Sequence, residues 1–371
     1  MTHELIKRGQ AKDIEALSVL SDRVFRSQLP EGTAMSVEFR PMFSPNNAHN
    51  LYFIEQDSLP VSLVGMMPGH MHVHGVTVSV ASMGSVCTLA QYRQQHFASL
   101  MIEQVIKDFS ANTSLLLVSG GLSIYRRIGC VDFGKWLGAL IGPVDHVEDA
   151  IEVKATTSPD DVRVLHALYL AERLRFARTV ADMRELLATM KAPHFRAQSA
   201  EPQLFQAYRQ DQVIAYAVVI KPDYETGVVH VVEWAGDRTA LLAMIKAAQT
   251  HFNVSRVHLT IASTDITTRS ILDGYADWLA ESNQGTVCVL NPAMLLREMG
   301  ALIREFYGGE LLLINEGENA WRVNWVNLSN NARVIAEGRL LESRAALSAW
   351  IFSDDDGLKL PLARTDDLNY I

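Results

Sequence analysis

Behind Asp13, apolar residues recur at helical spacing at Ile14, Leu17, Leu20 and Val24, which predicts an opening amphipathic helix that ends near Ser27. Pro30, Gly32, Pro41 and Pro45 then break the pattern into loops. Three runs of strand character follow over residues 51–55, 61–67 and 75–89, separated by turn residues, and predict a meander. Phe97, Leu100, Met101, Val105, Ile106 and Phe109 form an apolar stripe, so residues 93–110 are predicted as a helix lying on that sheet. Residues 114–118 are a short continuous apolar run of the kind carried by a strand buried on both faces. Strand, helix and buried strand in succession predict a right-handed crossover.

The pattern then repeats without any repeat of sequence. Ser-Pro-Asp-Asp at 158–161 precedes helical spacing through Val164, Leu165, Leu168 and Ala171, and Thr179 is placed to cap a helix carrying Met183, Leu186 and Leu187. Strands are expected at 203–208, 213–220 and 227–234, then a helix at 238–252 and a strand at 257–262. From Gly285 the order changes. A strand at 286–290 enters a helix at Asn291-Pro292, and strands at 310–315, 320–327 and 333–337 precede a helix at 343–352. The expected fold class is mixed α/β, with mostly antiparallel sheets flanked by helices. Three domains are expected, at 1–150, 151–284 and 285–371.

Composition narrows the function classes. Over 371 residues, 48% are apolar and 20% charged, the balance of an ordered globular chain. The net charge is −9 and the basic residues are scattered, which argues against nucleic acid and suits a cationic small substrate. No apolar run reaches the ~20 residues of a membrane span, and residues 1–10 lack a secretory apolar core. The three cysteines, Cys87, Cys130 and Cys288, have no metal-binding spacing, so a reduced, cytoplasmic setting is expected. His70, His72 and His74 share a strand face that would suit a metal, yet no acidic or thiol partner follows, and a solvated hairpin end is the simpler reading. The aspartates at 354–356, ahead of Gly357, read as a solvated turn. Met66, Met67 and Met71 read as core or pocket lining.

The candidate chemistry lies in the first third. The strand ending at Leu89 passes through Ala90-Gln91-Tyr92 into Arg93-Gln94-Gln95-His96-Phe97-Ala98 at a helix start, where free backbone N–H groups can hold phosphate. This segment resembles the signature of the GNAT superfamily of N-acetyltransferases: Arg or Gln, two variable residues, Gly, one variable residue, then Gly or Ala. Arg93 and Ala98 match, and His96 stands where the glycine is usual. A helix-start backbone angle is open to any L-residue, and a histidine ring can itself donate to an anion. Downstream, Ser123-Ile-Tyr-Arg-Arg-Ile-Gly-Cys-Val-Asp-Phe-Gly is similar to the superfamily's tyrosine-containing helix and glycine-aromatic turn, with Cys130 in the usual place of the aromatic.

The resemblance implies an acetyl-CoA site. In it, the backbones of Val86, Cys87 and Thr88 would pair with the pantetheine arm, and Arg93, Gln94, Gln95, His96, Phe97, Ala98 and Ser99 would hold the pyrophosphate. Gly120 and Gly121, after the buried strand, would also contact the cofactor, and Tyr125 would protonate the departing thiolate. Exposed strand amides near Cys87 would polarise the thioester carbonyl. Over nearly all of its 371 residues the chain resembles the enhanced-intracellular-survival (Eis-like) acetyltransferases, although only the first third is specific. That likeness implies tandem GNAT folds and a small sterol-carrier-protein-like α/β domain. It also implies a homo-oligomer, hexameric in the family, and the α-carboxylate of Ile371 as the base. The acyl donor would be acetyl-CoA with no metal, and the acceptor a primary amine of aminoglycoside or lysine type. The second copy lacks the signature loop between Trp234 and Arg238 and is expected not to bind CoA. The competing reading is a non-catalytic protein on the same scaffold that binds acyl-CoA or an apolar ligand.

Overall fold

The computed structural model describes residues 5–28, 35–147, 150–159, 161–190, 201–222, 225–317, 319–327, 334–353 and 355–365. In chain order the strands are β1 (Lys7–Arg8), β2 (Leu51–Gln56), β3 (Leu59–Val73), β4 (Val76–Thr88), β5 (Leu115–Val118), β6 (Trp136–Ile141), β7 (Glu152–Thr156), β8 (Leu174–Phe176) and β9 (Glu201–Arg209). They continue with β10 (Gln212–Lys221), β11 (Val228–Gly236), β12 (Arg256–Ala262), β13 (Ala276–Glu281), β14 (Thr286–Val289), β15 (Gly309–Gly317), β16 (Ala320–Asn327) and β17 (Val334–Leu341). The helices are α1 (Ile14–Phe25), α2 (Met35–Glu38), α3 (Phe97–Phe109), α4 (Ser123–Arg127), α5 (Val162–Leu170), α6 (Val180–Thr189), α7 (Leu241–Phe252), α8 (Ile266–Leu272), α9 (Pro292–Tyr307) and α10 (Arg344–Phe352). Two compact units emerge, one from the described residues of Met1–Phe133 and Gln284–Leu360, the other from those of Gly134–Asn283 and Pro361–Tyr370.

The first unit is built on a sheet of order β1-β2-β3-β4-β5-β14, antiparallel except for the β4–β5 pair. The apolar stripe on α3 does what its spacing predicts: Phe97, Met101, Ile102 and Val105 are buried in one core with Met66, Met83, Leu116 and Val118. The strand expected at the head of a third domain, Thr286–Val289, pairs along β5 from Thr286↔Val118 to Val289↔Leu115. Asn291 caps α9 by accepting from the Met294 amide at 3.0 Å. Glu298 on that helix accepts from the Ser114 hydroxyl at 2.6 Å and the Ser79 amide at 3.1 Å, just before the parallel pairing of β4 and β5 begins. A separate sheet, β15-β16-β17, also belongs to this unit.

The second unit repeats the plan. Its sheet runs β13-β6-β12-β11-β10-β9-β7, again antiparallel except for one parallel pair, β11–β12, and α7 buries Leu241, Met244, Ile245 and Ala248 against it. Thr179 caps α6 as expected, accepting from the Asp182 amide at 3.1 Å. The strand that follows β5 in the chain, β6, pairs with β12 and β13 of the second unit, whereas β14, which follows the second sheet, closes the first.

The second unit also holds a buried ion pair. Arg178 makes two hydrogen bonds to Glu233, at 3.0 and 2.7 Å, and the Tyr216 hydroxyl donates to the same carboxylate at 2.8 Å. Burial, with the Glu233 charge beside it, holds the Tyr216 hydroxyl well above its ordinary value. Removing one partner of such a pair leaves the other charge desolvated and uncompensated. Glu233→Ala is therefore expected to destabilise the protein by about 3–5 kcal/mol, read as a lowered urea midpoint. A loss under about 1 kcal/mol, the range of an exposed pair, would contradict this assignment.

Candidate active site

The site begins with a mismatch in strand length. Val80, Ala81, Ser82 and Met83 pair with Leu115, Leu116, Leu117 and Val118; β4 then runs on to Thr88 while β5 stops. Beyond Met83, the β5-facing edge of β4 has no strand partner among the described residues. On the opposite edge the β3–β4 register steps from Gly65↔Gly84 to Leu63↔Cys87, so β4 carries one residue more than β3. Ser85, at φ +50°, absorbs it. A bulge of this kind bends the strand and takes backbone groups out of the ladder. Val86, Cys87 and Thr88 thus lie on bulged backbone beside an open strand edge.

Neighbouring polar groups fix the end of this strand. Ser62 on β3 donates to the Cys87 carbonyl at 3.0 Å and meets the Thr88 hydroxyl at 2.7 Å, and Arg93 Nε donates to the Thr88 carbonyl at 3.3 Å. The Cys87 side chain is buried, and burial pushes its thiol up to about 12 against a backbone hydrogen bond from Leu63 that lowers it. Its backbone is what it can offer a ligand.

The loop after β4 differs from its sequence expectation. The helix starts at Phe97 rather than Arg93, because Arg93 is extended (φ −66°, ψ 162°), and Gln94 and His96 are left-handed at φ +66° and +60°. His96 is therefore not at an angle open to every residue: it occupies the conformation that glycine adopts freely. Histidine is among the side chains that enter this region more readily than most, at a cost of roughly 1–2 kcal/mol. Gln95, between them, has negative φ, so the sign alternates along the loop, the kind of pattern from which anion-binding nests of N–H groups are built. Phe97, Ala98 and Ser99 add the N–H groups of the first helical turn, the Leu100 amide being the first to bond back, to His96 O at 3.0 Å. No side chain caps this helix, and no acidic residue occurs from Leu89 to Ser99. Gln94, Gln95 and His96 are exposed, whereas the Phe97 ring is in the core, so this residue too contributes only its backbone.

Tyr125 lies on α4, the short helix that follows β5. Its ring is buried with Cys130, Leu116 and Val118, and its hydroxyl makes no hydrogen bond to another described residue. Burial pushes that hydroxyl up to about 12, and the neighbouring thiols of Cys130 and Cys87 add to the rise. Gly120 is needed beside it, because a Cβ there would come 3.3 Å from Tyr125 Cε2. The Gly120 carbonyl accepts from Thr286 Oγ1 at 3.0 Å, while Gly121 is exposed. The structure thus assembles the bulged end of β4, the left-handed loop, the start of α3 and Tyr125 in one unit. Ile371 lies outside the described residues. Ser62, Ser85 and the left-handed Gln94 were not legible as site residues. Only the motif's glycine position hinted at a positive φ, and that at His96.

The second unit keeps the strand geometry but has a different turn. There β11 pairs with β12 only as far as Val231↔Leu259, runs on to Gly236, and carries one extra residue between Val231 and Glu233. After it, Asp237 accepts from the Thr239 amide at 2.9 Å, occupying a donor at the turn into α7. Arg238 is bound to Glu172 by two 2.6 Å contacts and lies over the Trp234 ring. The turn is filled by the protein's own carboxylates.

Residues 5–131 match the family model of the acetyltransferase (GNAT) domain. No curated protein matches the chain in sequence. Among solved structures, the chain is similar to a probable N-acyltransferase of unknown function from Enterococcus faecalis V583, with a TM-score of 0.63, 16% identity, and 90% of this chain and 85% of that one covered. It is similar to a GCN5-related N-acetyltransferase from Anabaena variabilis ATCC 29413, at TM-score 0.63 and 12% identity over the same shares of the two chains. It is also similar to Eis1 from Mycobacterium abscessus, at TM-score 0.61 and 12% identity, covering 94% of this chain and 89% of that one. At such identities the likeness establishes the fold: two GNAT-like α/β units in tandem.

The angle at His96 yields a stability prediction. His96→Gly is expected to leave stability within about 1 kcal/mol of the parent, because relief of the left-handed cost offsets the added chain entropy. His96→Val, β-branched, should lose roughly 1–2 kcal/mol. Equal unfolding midpoints for the glycine and valine variants would contradict the left-handed assignment.

Proposed function

We propose that the chain is an acetyl-CoA-dependent N-acetyltransferase that acetylates a primary amine by direct attack in a ternary complex, with the first unit as its catalytic half. The observation that carries this reading is the continuous run from the bulged edge of β4 into an acid-free, left-handed loop, with a buried tyrosine on the helix after β5. The residues present fit the donor. Val86, Cys87 and Thr88 offer backbone to an amide-containing arm, and residues 94–99 offer N–H groups to phosphates. Acetyl-CoA, when bound, supplies the thioester whose acyl group is transferred.

The chain's own residues hold, polarise and protonate. Amides released by the bulge donate to developing oxyanion charge from a position fixed before reaction, which avoids reorganisation. Tyr125 keeps its proton through the neutral range, since its hydroxyl is raised to about 12, and donates it to the sulfur leaving group. Ser62 and Arg93 keep the end of β4 in place. The net charge of −9 favours a cationic acceptor, of aminoglycoside or lysine type. The second unit supports the fold without a second donor site, because Asp237, Glu172 and Asp265 surround its equivalent turn. In this reading the sheet β15-β16-β17 with α9 and α10 is the sterol-carrier-like part of the family likeness.

Tyr125→Phe is expected to lower kcat by about 10²-fold or more while leaving the KM for acetyl-CoA within a few-fold. In the parent, the sign of the shift places loss of the proton donor on the alkaline side, so no fall in rate from Tyr125 is expected below about pH 10. Steady-state kinetics over a panel of polyamines and lysine peptides checks both. Unchanged kcat in the phenylalanine variant would remove Tyr125 from the reaction. A chain that does not bind acetyl-CoA in calorimetry at millimolar concentration would favour a non-catalytic scaffold.

A further inference from the structure

Two of the chain's three cysteines face each other beside Tyr125. Cys130 and Cys288 are both free, and 1% and 0% exposed. Their neighbours Val131 and Val287 form an antiparallel bridge in which each amide donates to the other's carbonyl at 2.9 Å. A pair that exchanges both bonds is flanked by pairs of the close, non-hydrogen-bonded kind, so the register sets Cys130 opposite Cys288. Such a pair has Cα atoms roughly 4.5 Å apart, inside the ~4.4–6.8 Å that a disulfide needs. The Cys288 side chain turns toward this turn as well: its Sγ donates to the carbonyl of Ile128, two residues before Cys130, at 3.4 Å.

Burial opposes a thiolate at this pair, and the groups packed around Cys288 work against that burial. The neighbouring Cys130 thiol lowers the Cys288 thiol first, and the Arg344 guanidinium adds to this against burial. Cys130 is correspondingly held protonated. The Arg344 side chain packs on the same turn, where a Cβ at Gly129 would lie 3.0 Å from it.

We propose that Cys130 and Cys288 are a redox-responsive pair that a peroxide converts to an intramolecular disulfide, and that this bond silences acyl transfer by displacing Tyr125. The Cys288 thiolate attacks one peroxide oxygen, the O–O bond breaks, and hydroxide leaves to become water. The Cys130 sulfur then attacks the sulfenic sulfur of Cys288, the S–O bond breaks, and the departing hydroxide takes the Cys130 proton as a second water. Two electrons have passed from the thiols to the peroxide. The sulfurs must close to the ~2.05 Å of a disulfide bond. The Cys130 amide donates to the Tyr125 carbonyl at 3.1 Å, and α4 is only five residues long, so the closure pulls directly on the turn that carries the hydroxyl. The silencing rests on Tyr125 acting as the acid proposed above; the crosslink does not.

The full-length reduced chain, treated with hydrogen peroxide and mapped by non-reducing peptide mass spectrometry, tests both parts. The expected result is one peptide joining Cys130 to Cys288, with Cys87 left as a thiol, and a fall in acetyl transfer of at least tenfold that dithiothreitol reverses. Cys130→Ala or Cys288→Ala should abolish the linked peptide and make the rate insensitive to peroxide. No linked peptide under conditions that fully oxidise added glutathione would overturn the pair, whether or not the variants fold. A linked peptide with an unchanged rate would overturn the silencing. A reduced chain without any transferase activity would remove the functional reading and the silencing together, while the mass still decides the crosslink.

Discussion

Parallel pairing between β4 and β5 extends over four residue pairs and no further, and the candidate chemistry depends on where it ends. A longer β5 would satisfy the backbone of residues 84–88 in a ladder and leave nothing for a ligand. A shorter one would unfasten the crossover that brings α3 onto the sheet. The extra residue at the bulge works with the mismatch, turning amides out of the β3 ladder at the point where the β5 ladder stops. Polar ties at the far end keep this opening in shape: Glu298 binds Ser79 and Ser114 just before the parallel pairing begins, and Ser62 and Arg93 hold the carbonyls at the end of β4. The strand is thus fixed at both ends and unpaired along its functional edge.

The same arrangement occurs twice, and the difference between the copies is electrostatic rather than topological. Both have the parallel pair, the overlong strand and the extra residue. In the first, the turn into the helix carries no acid, and the helix dipole faces it uncapped. In the second, Asp237 takes an N–H of the turn and Glu172 neutralises Arg238. The one turn is free of acidic side chains and the other is lined by them. The second sheet is complete within residues 136–281, whereas the first is closed by β14, so the first unit requires a strand from beyond residues 5–131.

Much of this was legible in the sequence because local periodicity reports local burial. The apolar stripe of α3, the buried run of β5, the Asn291-Pro292 start of α9 and the Thr179 cap all appear where the pattern predicts, within a few residues. The partners of β6 and β14 were not legible, since an apolar run reveals that a strand is buried but not which sheet receives it. β13 was hidden because it is an edge strand with exposed Asp277, Leu279 and Ala280, and it lacks clean alternation. At the site, residue types carried the loop and Tyr125, while the conformations of Ser85, Gln94 and His96 follow from register and loop closure over long range. His96 illustrates the difference: its identity was conspicuous in the motif, but its left-handed angle emerged only once the helix was seen to begin at Phe97.

The central claim is that one copy leads its open strand edge into a turn that receives an anion and the other does not. Amide hydrogen exchange of the whole chain, followed by mass spectrometry with and without saturating acetyl-CoA, tests it most directly. The account predicts slowed exchange across residues 84–88 and 94–99, with residues 232–240 unchanged. Protection confined to 232–240, or equal in both segments, would contradict it.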